Sequence, residues 1–100
     1  MSRLDREGMV AAATGTLGAA PDESGVADMI FDKGQLLLAP ELNEMKKIFK
    51  RAKKLEGYRW VMINGADLVL ANTLSIGTKA GIITPDGKVL KNADIPRKKV

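Results

Sequence analysis

One hundred residues, 45% hydrophobic and 28% charged, suit a single soluble domain with one core and exclude a second. Cys and His are both absent, which removes disulfides, thiolate metal sites, the commonest general base and the usual near-neutral pH switch. The net charge of +4 is unevenly placed: residues 1–41 carry three basic and seven acidic side chains, net −4, whereas residues 42–100 carry thirteen and five, net +8.

Residues 1–25 are rich in Ala, Gly, Thr and Ser and offer few large side chains to bury. A short helix over about Arg3 to Ala13, ended by Gly15, fits part of this stretch, and the whole is expected to be a flexible or partner-docked arm. The apolar run Val10 to Ala13 is too short for a signal peptide, and Asp5 and Glu7 stand where such a peptide is positive. With no run near the roughly 18–20 apolar residues of a membrane span, the reading is a cytoplasmic protein, or one within an intracellular or virion assembly, without a membrane partner. Gly15-Thr16-Leu17-Gly18 has the GxxG spacing of a KH loop but lacks the flanking elements.

Residues 26–91 carry the pattern of a single α+β domain. "VADMIF" and "QLLLA" flank Asp32-Lys33-Gly34, which predicts a β-hairpin with Gly at the positive-φ position. One amphipathic helix follows over about residues 40–56. Pro40 opens it, Glu41 and Glu44 suit its N-terminal end, Lys53 and Lys54 its C-terminal end, and Gly57 stops it. Leu42, Met45, Ile48, Phe49, Ala52 and Leu55 make its apolar stripe.

The next stretch, "RWVMINGADLVLAN", predicts a second hairpin turning at Asn64-Gly65. That register sets Ile63 against Ala66 and Trp60 against Val69, and it leaves both faces apolar. Tyr58, Trp60, Met62 and Val69 then form a second face that needs a cover: the N-terminal arm, the remaining strands, or another subunit. A further short strand over Thr73 to Lys79 and a hairpin turning at "TPDGK" complete the domain. The expected fold is therefore a mostly antiparallel sheet of five or six strands built from successive hairpins, with one helix packed on it. Residues 92–100 read as a basic C-terminal tail.

Two surfaces could carry function. Tyr58, Trp60, Met62 and Val69 form the expected protein interface, because a patterned core of about 66 residues is marginal without a metal, a disulfide or oligomerisation. Lys46, Lys47, Lys50, Arg51 and Lys54 on the helix, with Arg97, Lys98 and Lys99 on the tail, could neutralise phosphates of a nucleic acid, although a solvated helix face reads the same way. Asp86 and Lys88 supply a D-x-K, and Asp67 a second carboxylate, yet Asp86 belongs in a Pro-Asp-Gly turn on conformational grounds alone. No cofactor or metal is expected. The sequence thus favours a non-catalytic binding or assembly module, self-associating or part of a larger protein assembly, with the economy of a virion- or mobile-element-associated protein. The alternative is a nonspecific nucleic-acid binder.

Overall fold

Residues 3–94 are described by the computed structural model. The first helix, α1 (Arg6–Leu17), begins where the Asp5 carboxylate accepts a 2.8 Å hydrogen bond from the Gly8 N–H. It ends where Gly18, at φ 66°, turns its N–H onto the Ala13 carbonyl. A two-residue strand, β1 (Ala20–Pro21), pairs with β2 (Met29–Phe31), which turns at Asp32-Lys33-Gly34 into β3 (Gly34–Ala39). This hairpin is the one its spacing predicts. Gly34 is needed twice over: its φ is 128°, and a Cβ there would collide with the Tyr58 carbonyl.

Helix α2 (Leu42–Lys53) lies inside the expected span and buries Met45, Phe49 and Ala52. Strand β4 (Arg59–Ile63) then runs parallel to β3, with Gln35 beside Arg59 and Ala39 beside Ile63. After β4 comes a 3₁₀ turn, Gly65–Asp67, and helix α3 (Leu68–Ser75). Strand β5 (Gly81–Ile83) is parallel to β4, and β6 (Val89–Lys91) returns antiparallel across the "TPDGK" turn, where Gly87 takes φ 88°. The sheet order follows the sequence, β1 to β6.

The fold is α+β, as expected, but the sheet is mixed, and the described residues hold three α-helices rather than one. The centre is parallel, built from the crossovers β3–α2–β4 and β4–α3–β5, and the second of these replaces the expected hairpin at Asn64-Gly65. Asn64 explains the difference. It is extended (φ −71°, ψ 138°), and Gly65 is not among the glycines with positive φ, so no type I′ turn forms. Had Ala66–Ala71 paired back on β4, it would have taken the edge that Gly81–Ile83 occupies. The Thr73–Lys79 stretch, expected as strand, holds the end of α3 and the turn after it.

Side-chain alternation along the three parallel strands divides the core into two layers. Leu37, Ala39, Val61, Ile63 and Ile82 face α2 and α3. Leu36, Leu38, Trp60, Met62 and Ile83 face α1, together with Met29 and Phe31. A central strand covered on both faces has no polar face, and this accounts for the doubly apolar "RWVMI". Residues 6–17, expected in a loose or partner-docked arm, are instead the helix that closes the second layer, with Met9 and Ala13 fully buried.

Asp28 joins the two layers at the β2 edge. Its carboxylate accepts from Arg6 of α1 (3.1 Å), Arg51 of α2 (3.0 Å) and the Leu38 N–H (2.9 Å). Burial is the strongest single influence and opposes ionisation, but these hydrogen bonds together outweigh it and hold the pKa below the usual carboxylate value. A depressed folded pKa stabilises at pH above the unfolded value of 3.8 and loses that contribution as pH falls through the folded pKa. Denaturant titrations from pH 6 to pH 2 should therefore show a stability loss below about pH 4 that is smaller in Asp28→Asn. An identical pH slope in the variant would assign the loss to other carboxylates.

Candidate interaction surfaces

The C-terminal ends of β4 and β5 open onto a crevice of about 410 Å³, lined by Arg3, Leu4, Asn64–Ala66 and Thr84–Asp86. Open sheets with parallel strands commonly bind ligands at this edge. Here the polar groups are tied to one another. The Arg3 guanidinium makes a two-pronged pair with Asp67 (2.7 and 2.8 Å) and also donates to the Pro40 carbonyl. The Asn64 amide accepts from the Leu4 N–H and donates to the Leu4 and Pro40 carbonyls. Asp86 accepts from the Thr84 hydroxyl, the leading cause of its lowered pKa. Asp67 and Asp86, weighed in the sequence as a carboxylate pair, are thus committed to Arg3 and Thr84 respectively. Asn64, read in the sequence as a turn residue, is a clasp that fixes the segment before α1 to the end of β4.

The four residues expected as one interface part company. Trp60 and Met62 lie under α1, Met62 wholly buried, and are unavailable to a partner. The Trp60 indole donates to the Lys33 carbonyl (3.1 Å), meets Phe31 edge-on and carries the Lys33 ammonium over its ring. Tyr58 is exposed at the opposite, N-terminal end of β4, beside Asp32 and Lys33. Val69 is 83% exposed, on α3. Register arguments had placed it against Trp60; the crossover puts it on the far side of the sheet.

Around Val69 is a surface that the hairpin reading hid. The sequence of α3, "LVLANTLS", holds no charge, and only Ala71 and Ser75 are fully buried. Ile76, just past its end, is 72% exposed; Leu68 and Leu70 are partly exposed. Val69, Thr73 and Ile76 fall at i, i+4 and i+7, so they share one helical face that turns away from the sheet. A helix with apolar residues on more than one side ordinarily has cover on each; α3 is covered on one side, and its outer face mixes Val69 and Ile76 with the polar Thr73. The signal was legible: eight successive residues without a charge.

Beside α3, in contact with it on the same sheet face, lies α2. Lys46, Lys47, Lys50, Lys53 and Lys54 are exposed there. Arg51 does not join them, because it binds Asp28 and the Val26 carbonyl (2.9 Å). All three ion pairs among the described residues use arginines: Arg3–Asp67, Arg6–Asp28 and Arg51–Asp28. Arg59 is buried, and desolvation lowers its pKa; it donates to the Ala52, Lys53 and Gly57 carbonyls and so caps the C-terminal end of α2. Arg97, Lys98 and Lys99 lie outside the described residues. Gly15-Thr16-Leu17-Gly18 is the last turn of α1 and its cap. No helix among the described residues is long and apolar enough to cross a membrane.

No protein-family model, curated protein or solved structure matches the chain.

Proposed function

We propose that the chain is a non-catalytic assembly module that self-associates through the outer face of α3. One observation carries this reading: α3 turns Val69, Leu70 and Ile76 to solvent with no charge among them, whereas the exposed large apolar side chains elsewhere, Val26, Ile30, Leu42 and Tyr58, are spread over separate elements. Scattered exposed apolar side chains are ordinary, whereas a contiguous uncharged helical face supports a contact surface. An accessory protein of a virion or mobile element would suit this economy, its binding surface occupying one eight-residue helix.

Light scattering over a concentration series is the test. The wild type is expected to exceed the 10.8 kDa chain mass, and Val69→Lys/Ile76→Lys to return it to one chain. Because both side chains already face solvent, the double variant should keep its circular dichroism and lose little stability, within about 1 kcal/mol for the pair. A wild type that stays at one chain mass at every concentration overturns the reading.

A second reading, nonspecific binding of nucleic acid, is supported by the four exposed lysines of α2 and Lys54 at its end, which take no part in the ion pairs among the described residues. Repeating the mass measurement with a DNA duplex present separates the two. A complex that dissolves steeply with added salt, and in Lys46→Glu/Lys50→Glu, would favour it.

A further inference from the structure

The surface of α3 does not say by itself whether it meets another α3 or a different part of a neighbour. We infer that it meets the outer face of α1 of a second copy, so that copies join head to tail. The inference rests on the self-association just proposed and names the partner surface.

Electrostatics decide against pairing of α3 with itself. One flank of α3 carries the lysines of α2. The other carries Lys91, whose ammonium reaches the Ser75 hydroxyl (2.7 Å), and Lys79 follows just after the helix. A two-fold axis in the interface brings α2 over α2 when the α3 helices run antiparallel, and α2 over the Lys79 and Lys91 flank when they run parallel. Both place basic on basic, which is unfavourable at an interface of this kind.

The opposite face of the sheet presents acidic groups at the start of α1. On α1 the basic residue Arg6 is already paired with Asp28, and the preceding Arg3 with Asp67. Glu7 and Asp5, the latter also capping α1 through the Gly8 N–H, are exposed and in no ion pair among the described residues, so both can face a neighbour's lysines. Farther along α1 the exposed positions are Ala11, Thr14, Gly15 and Thr16, all small, with nothing near the Gly15 Cα to fill the space a side chain would take. Val69, Leu70 and Ile76 are the bulky counterpart to that low surface. Since α1 and α3 lie on opposite faces of the sheet, one contact leaves both surfaces free at the ends of the pair. Such a contact propagates into a chain or closes into a ring.

Complementation of two blocked variants tests this. Val69→Lys/Ile76→Lys closes the α3 surface, and Gly15→Arg closes the α1 surface. Arginine has room at position 15 and favours helix over glycine, so the fold should survive. Gly15→Ala, which stays small, should associate like the wild type. Each blocked variant is expected at one chain mass alone, and their equimolar mixture at twice that mass and no more, because the open α1 of one accepts the open α3 of the other. Added salt should weaken the mixed dimer. If Gly15→Arg alone still associates like the wild type while the α3 variant does not, self-association stands and the head-to-tail arrangement falls. A monomeric wild type removes the self-association itself.

Discussion

Deletion of residues 1–18 is expected to abolish cooperative folding rather than to trim a dispensable arm. It removes α1 and uncovers Met29, Leu36, Leu38, Met62 and Ile83, each at most 2% exposed in the intact chain. Fully burying a side chain of this size contributes about 1.5–3 kcal/mol. Five of them therefore amount to several kcal/mol even when only partly uncovered, against a net stability of about 5–15 kcal/mol for a domain of this length. The deletion also strips Asp67 of Arg3 and the Asn64 amide of its Leu4 partners, leaving buried polar groups unmatched. The shortened chain should show no sharp thermal transition and should bind an environment-sensitive apolar dye. A deletion variant with a wild-type transition would mean that α1 is not the cover of this face.

Phe49→Ala is expected to be the most damaging single substitution of those considered, at about 3–5 kcal/mol. Phe49 is 1% exposed and projects from α2 into the layer formed by Leu37, Val61 and Ile63. With only four aromatics in the chain, and none of the others in this layer, no neighbouring ring can move in to fill the void. The adjacent Ile48 is only partly buried against the same cluster, so Ile48→Ala should cost clearly less. Urea denaturation checks both: the midpoint of Phe49→Ala should fall by the larger amount with little change in the slope. Equal losses at the two positions would show that helix propensity, not packing, set the effect.

The hairpin turns at Asp32-Lys33-Gly34 and Thr84-Pro85-Asp86-Gly87, the amphipathic α2 and the α+β class follow from local rules that need no tertiary partner. Gly34 and Gly87 take positive φ because the turn demands it, and Met45, Phe49 and Ala52 recur at helical spacing because one face of α2 must be buried. The central stretch was ambiguous for a physical reason. "RWVMI" reads as apolar on both faces whether a strand is sandwiched between helices or paired in a hairpin against a partner subunit, and Asn64-Gly65 suits a type I′ turn when taken alone.

Tertiary context settled the matter, because the Asn64 amide is used to hold Leu4 and Pro40 while β4 takes parallel neighbours on both edges. The same context sent Trp60 and Met62 inward and Val69 outward. It also bound Arg51 to Asp28 and Arg59 to the end of α2, pairings between residues 7 to 23 positions apart that no periodicity encodes. Composition and spacing by themselves determined the hairpins, the one strongly amphipathic helix and the surplus of apolar side chains. Which of those side chains the chain buries for itself, and which it leaves on α3, depended on how distant segments close over the two faces of a single sheet.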